Sequence, residues 1–162
     1  MEKRVWEETL QLNEKFANMS SPIILLLERG ATILVIHESA EDYLESILIF
    51  QERRGQVRSI DIVNELGYSK PSVSIAMKKL RENGYIAVDG EGNLTLLEPG
   101  LEIAQRIYSR HQLLTHFFVQ LGVDEQTAAE DACKAEHILS EQTLEKIRES
   151  ALRNDAAHPQ AK

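Results

Sequence analysis

From Ser39 onward the apolar residues recur at helical spacing, with clear punctuation between the runs. Ser39 is placed to cap a helix reaching about Arg54, with Leu44, Ile47 and Leu48 at i, i+3 and i+4 as its buried stripe and Gly55 ending it. Ser59 is placed to cap a short second helix, DIVNEL, whose Ile62, Val63 and Leu66 turn inward. Gly67 then permits a tight turn, because glycine accepts positive φ. Ser69 caps a third helix with Pro71 in its first turn, where a missing N–H costs little, and Val73, Met77 and Leu80 form the apolar face. Asn83-Gly84 stops it. The apolar pattern then changes character: YIAV and NLTLL read as short strands flanking Asp89-Gly90-Glu91-Gly92, a hairpin tip. Helix, helix, turn, helix, hairpin is the order of a winged helix-turn-helix.

The remainder is helical in pattern. Glu98-Pro99-Gly100 reads as a break, followed by a long helix from about Leu101 to Leu121 carrying Ile103, Ile107, Leu114, Phe117 and Phe118. Gly122 ends it, Asp124 caps a helix through about Leu139, and Ser140 with Thr143 and Leu144 opens a last helix with Ile147 on its inner side. This is more apolar helix surface than one half-chain needs, which points to a second copy as partner. The expectation is a mainly α fold: a winged helix-turn-helix with a small β-hairpin wing over 39–98, then an all-helical domain over 99–150. Residues 151–162 (ALRNDAAHPQAK) read as a frayed polar tail, and residues 1–38 as an N-terminal extension carrying no recognisable motif.

Composition narrows the function classes. A net charge of −8 argues against a protein that coats nucleic acid non-specifically, without excluding a local basic surface. The single cysteine rules out an internal disulfide and suits a reducing, cytoplasmic setting. The one greasy stretch, 22–36, is interrupted by Glu28, Arg29 and Gly30 and falls short of the ~20 apolar residues a bilayer span needs. No membrane role is expected.

Against that acidic background, no acidic residue falls between Glu65 and Glu82, while Lys70, Lys78, Lys79 and Arg81 do. This reversal of sign coincides with the helix that a winged helix-turn-helix inserts in the major groove. Ser69, Lys70, Pro71, Ser72 and Ser74 lie in its first two turns, where short polar side chains meet phosphates and base edges, and Lys78 and Lys79 follow. The bland alternative is a lysine-fringed surface helix without a ligand.

A second constellation suits a cation. Asp42 and Glu45 are three apart on the first helix, and Cys133, Glu136 and His137 stand at i, i+3 and i+4 on a later one, so each set shares a face. His111 lies midway along the long helix between them. Thiolate, carboxylate and imidazole together suit a first-row divalent ion. Singly, each has a structural explanation: a lone cysteine is more often a buried apolar residue, a lone histidine a hydrogen-bonded one.

From Ser39 to about Ser150 the chain resembles the diphtheria-toxin-repressor and manganese-transport-regulator family of metal-dependent repressors. The segments that carry the resemblance are SAEDYLESI, SIDIVNELGYSKPSVSIAMKKLRENGYI, YSRHQLL and DACKAEHILS. It implies a palindromic DNA operator, a homodimer, and a metal bridging the DNA-binding half to the metal-binding and dimerisation half. It also implies repression of iron or manganese uptake genes. By the same resemblance Asp42, Cys133, Glu136 and His137 are ligands, and Glu45 and His111 complete a second, adjacent ion. Asp42 follows the manganese branch and Cys133 the iron branch, so the set is a hybrid. Thr115 and Ala129 stand where the iron branch places the glutamate and histidine of its ancillary site, and position 133 lacks the manganese branch's bridging glutamate. A counterpart of the iron branch's small third domain is not expected from these 162 residues.

The thiolate shifts the expected ion toward Fe²⁺, with Mn²⁺ next, and Zn²⁺ or Co²⁺ as substitutes in vitro. The thiol also makes the site oxidisable. Metal binding is expected to relieve repulsion among the carboxylates and fix the spacing of two recognition helices. Family members begin near SAEDYLE, so the first 38 residues reflect either a start codon assigned upstream of Val35 or Ile36, or a helix packing on the dimer. Two other functions remain open: a winged-helix regulator without metal control, and a small metalloenzyme. No nucleophile array or phosphate-binding glycine loop supports the latter, and the expectation is a non-enzyme.

Overall fold

In the computed structural model of the chain, residues 38–157 are described; 1–37 and 158–162 lie outside the described residues. The N-terminal extension and the end of the expected polar tail fall there. The elements run α1 (Glu38–Arg54), α2 (Ser59–Leu66), α3 (Lys70–Glu82), β1 (Ile86–Val88), β2 (Leu94–Leu96), α4 (Glu98–Gln120), α5 (Glu125–Ala135) and α6 (Glu141–Ala157).

The helix-turn-helix forms for local reasons that the sequence carries. Ser69 is extended and its Oγ accepts from the Ser72 N–H at 3.3 Å, while Pro71 occupies the first turn of α3. Gly67 takes φ +66° and closes α2 by donating its N–H to the Val63 carbonyl. Strands β1 and β2 pair antiparallel with Ile86 opposite Leu96 and Val88 opposite Leu94. Their tip is organised by Asp89, whose carboxylate accepts from the backbone N–H of Glu91 and Asn93 and from the Asn93 side chain at 2.8–2.9 Å. Leu44, Ile47, Ile62, Val73, Ile86 and Leu94 are fully buried, and they join α1, α2, α3 and the wing into one core.

Long helix α4 spans both halves of the fold. Ala104, near its start, belongs to the winged core; Ile107, Leu113 and Leu114 further along are buried, as are Ala128 and Ala132 of α5 and Leu144 and Ala151 of α6. Small residues on the inner face of α5 let the helices approach closely.

The boundaries differ from the sequence expectation in five places. Helix α1 begins at Glu38, so Ser39 lies within its first turn rather than capping it. Helix α2 is capped by Arg58 rather than Ser59: the Arg58 N–H donates to Asp61 Oδ2 at 2.8 Å, so the stabilising carboxylate comes from inside the helix. Glu98-Pro99-Gly100 is the first turn of α4 rather than a break, since proline and an acidic residue both suit a helix N-terminus. Gly100 is required there: a Cβ would fall on the carbonyl oxygen of Tyr85, which accepts the Leu97 N–H at 2.9 Å. Helix α5 ends at Ala135, not near Leu139. Helix α6 continues to Ala157, because Ala151 packs fully buried inside the stretch expected to fray.

Candidate metal centre and DNA-facing helix

Helix α5 closes at Ala135, with Glu136 as its helical C-cap donating its N–H to the Ala132 carbonyl at 2.9 Å, and in the turn that follows the Ala135 carbonyl takes the N–H groups of both Ile138 and Leu139 at 3.2 Å. Arg110 of α4 donates to the Glu136 carbonyl at 3.1 Å and pairs with Glu141, pinning this turn to the long helix. Glu136 is fully buried and the His137 ring is nearly enclosed, whereas Cys133 is exposed on α5.

Glu45 of α1, His111 of α4 and Glu136 each bring one ligand atom within 4.8 Å of the others. His111 Nδ1 lies 2.9 Å from Glu136 Oε2. Two more of the expected residues border this trio: His137 Nε2 is 3.0 Å from Asp42 Oδ1 and 3.4 Å from Glu136 Oε1. The structure thus brings five of the six expected residues together, and Cys133 is not among the trio.

Charge is concentrated here at a cost. Burial and the neighbouring Glu136 carboxylate push Glu45 up to about 7. Burial likewise raises Glu136, against the pull of His111. For His111 burial opposes the charged ring, yet the hydrogen bond it donates to the Glu136 carboxylate holds its pKa above the ordinary histidine value. The carboxylates of Asp42 and Glu41 on opposite sides of the His137 ring push it up to about 10. Most telling, Glu45 Oε1, Glu136 Oε1 and His137 Nε2 are all buried without an aligned hydrogen-bond partner. Buried polar atoms are seldom left so, and three in one place fit a cation that would take their lone pairs. The donor set of carboxylates and imidazoles suits a hard or borderline divalent ion.

Sequence reasoning missed Glu41. Its Oε2 accepts from His137 Nδ1 at 2.9 Å and its Oε1 from Arg106 of α4 at 3.0 Å. No spacing rule could have singled it out, because its partners lie far away in the chain. It also missed Tyr68, next to the cap of α3, whose hydroxyl lies 3.4 Å from Asp42 Oδ2 and whose ring meets that of Tyr43 edge-on.

On the other face, Ser69, Lys70, Pro71, Ser72, Ser74, Lys78 and Lys79 are all exposed. Ser69 and Ser72 share a 2.8 Å hydroxyl contact at the start of α3, and Lys78 pairs loosely with Glu82 at 3.8 Å. An open groove of about 480 Å³ runs between α2, α3 and the wing, lined in part by Ser59, Lys70, Ser74, Lys78 and Arg81. Basic and hydroxyl side chains along an exposed helix meet the requirements for phosphate and base-edge contact.

Two family models match the chain: iron dependent repressor, N-terminal DNA binding domain, over residues 36–94, and iron dependent repressor, metal binding and dimerisation domain, over 97–158. An uncharacterised HTH-type transcriptional regulator of Methanocaldococcus jannaschii is 37% identical over 113 residues, 68% of this chain and 90% of that protein. The HTH-type transcriptional regulator MntR of Lysinibacillus sphaericus is 33% identical over 109 residues, 67% of this chain and 78% of that protein. The solved structure of the manganese regulator SloR aligns with a TM-score of 0.60 at 27% identity, covering 68% of this chain and 52% of that one. The chain therefore spans about half the length of that solved protein.

Proposed function

Since the chain belongs to the iron-dependent repressor family of metal-dependent transcriptional regulators, we propose that it represses metal-uptake genes when a divalent ion is held by Asp42, Glu45, His111, Glu136 and His137. The observation that carries this reading is the convergence of buried donor atoms, Glu45 Oε1, Glu136 Oε1 and His137 Nε2, none of which has an aligned hydrogen bond although His137 Nε2 lies 3.0 Å from Asp42. They come from α1 and from the turn after α5, so one centre joins the DNA-reading half to the helical half. Oxygen and nitrogen donors with the thiol outside the trio favour Mn²⁺ over Fe²⁺, a shift from what the sequence suggested. The manganese regulator SloR among the similar structures supports that preference, whereas both matching family models are named for iron-dependent repressors.

A bound divalent cation would supply positive charge among the Asp42, Glu45 and Glu136 carboxylates in place of the protons held by Glu45 and His137. Glu45 and Asp42 anchor α1; Glu136 and His137 anchor the turn that Arg110 fastens to α4. Without that charge Glu45 retains a proton near neutral pH and α1 is held less firmly. Asp42 also reaches Tyr68 at the head of α3, so the position of α1 is communicated to the helix that faces DNA. Two copies paired through the α4–α6 half would present two such helices to a palindromic operator, and their spacing would depend on how α1 sits. Coupling between metal and DNA then follows from differential binding to the DNA-competent arrangement.

The test is a DNA-binding titration on the protein's own promoter region, with chelator and then with Mn²⁺ or Fe²⁺ under anaerobic conditions. Metal should raise DNA affinity at least tenfold in the wild type, and Glu136→Ala or His137→Ala should lose that response while remaining folded. Unchanged DNA affinity with and without metal would instead identify a winged-helix regulator without metal control. A normal metal response in either variant would overturn the ligand assignment.

A further inference from the structure

His137 holds a place in the proposed centre only if its Nε2, not its Nδ1, faces the carboxylates. A neutral imidazole has one N–H and one lone pair, and whichever nitrogen is hydrogen-bonded outward decides which is left to bind. Here the ring sits between two carboxylates of α1. Nδ1 lies 2.9 Å from Glu41 Oε2; Nε2 lies 3.0 Å from Asp42 Oδ1 and 3.4 Å from Glu136 Oε1. The other Glu41 oxygen is held by Arg106 Nη2 at 3.0 Å. Both oxygens are thus engaged on the side of the ring away from Glu136. The Glu41 side chain is itself mostly buried, and the His137 side chain is 4% exposed.

Resting on the cation reading above, we propose that Glu41 is a positioning residue of the centre. Braced by Arg106, it holds the proton on His137 Nδ1 and so presents the Nε2 lone pair to the ion. The brace joins α1, α4 and the turn after α5, the three segments that supply the donors. A carboxylate behind a ligating histidine also raises the basicity of the ring, and loss of such a partner typically costs about 10–100-fold in metal affinity. The competing explanation is that Glu41 serves only as half of a surface ion pair with Arg106, tying α1 to α4.

The test uses the full chain loaded with Zn²⁺, which is diamagnetic, and reads affinity by competition with a chelating dye and the His137 ring by long-range ¹H–¹⁵N NMR. Wild type should show His137 ligated through Nε2 with Nδ1 protonated. Glu41→Ala should weaken Zn²⁺ binding about 10–100-fold and replace that single pattern by mixed or Nδ1 ligation. Glu41→Gln keeps an oxygen to accept from Nδ1 while losing the charge that pairs with Arg106, so it should restore the Nε2 pattern and at least half of the lost binding free energy. Arg106→Ala should cost less than tenfold and leave the ring pattern unchanged. If Arg106→Ala weakens binding as much as Glu41→Ala and Glu41→Gln gives no rescue, the ion-pair explanation holds and the proposal falls. Should Glu41→Ala fail to fold, the Glu41→Gln and Arg106→Ala variants decide alone: a changed ring pattern or a loss beyond tenfold in either overturns it. Wild-type protein with neither histidine perturbed by Zn²⁺ would overturn the cation reading itself, a distinct result.

Discussion

Replacing Glu45 by glutamine should stabilise the metal-free protein at alkaline pH and weaken its answer to metal. The two effects have opposite sign because one buried charge causes both. Glu45 is 8% exposed and its carboxyl is raised from 4.5 to about 7, first by burial and then by Glu136. A carboxyl whose folded pKa is raised keeps its proton longer in the folded than in the unfolded chain, so wild-type stability falls as pH rises from about 4.5 through 7 and then levels off. At pH 8 the penalty is on the order of 3 kcal/mol, at about 1.4 kcal/mol per pKa unit. A glutamine carries no such charge, though its amide leaves a buried polar group that costs roughly 1 kcal/mol. The stability gap between Glu45→Gln and wild type should therefore open by roughly 2–3 kcal/mol between pH 5 and pH 8, or about 6–9 °C in Tm. Chelator-treated proteins at equal protomer concentration, unfolded thermally or in urea at both pH values, provide the assay. Glu45 is coupled to Glu136, His111 and His137, so the gap reads the loss of its charge together with the response of these neighbours. Saturating Mn²⁺ should then reverse the order, with wild type gaining more. A gap that stays constant between pH 5 and pH 8 would refute the claim that the Glu45 charge is what the fold pays to keep.

Other outcomes follow from the same geometry. Mn²⁺ affinity should rise steeply between pH 6 and pH 8, with proton release on binding visible in buffers of different ionisation enthalpy, because Glu45 at about 7 and His137 at about 10 must give up protons to bind; a flat profile would contradict it. Cys133→Ser should leave Mn²⁺ affinity within about threefold, since the thiol is exposed and outside the trio. A loss beyond tenfold by calorimetry would put the thiolate into the site. Gly100→Ala should destabilise the protein by about 2–4 kcal/mol in urea melts, because the new methyl meets the Tyr85 carbonyl and forces the start of α4 away from the wing. An unchanged midpoint would show that the junction yields freely.

The sequence determined the local grammar of this protein. Apolar spacing, caps and glycines specified the helix-turn-helix and the wing closely, because those features act over three or four residues: Ser69, Gly67 and the Asp89 turn behave as their chemistry dictates. It also named five residues that the fold brings to one place. What it could not determine was set by contacts distant in the chain. Nothing near Ala135 announces that α5 stops there; Arg110, reaching from α4 to the Glu136 carbonyl, belongs to a helix more than twenty residues away. Glu136 and the His137 side chain are enclosed while Cys133 is exposed, a distinction that helical spacing alone does not draw. Glu41 was likewise invisible until the fold set His137 and Arg106 on either side of it. Periodicity reports which side of a helix is apolar, whereas the aim of a particular carboxylate depends on where its neighbours' charges come to rest, and only packing decides that.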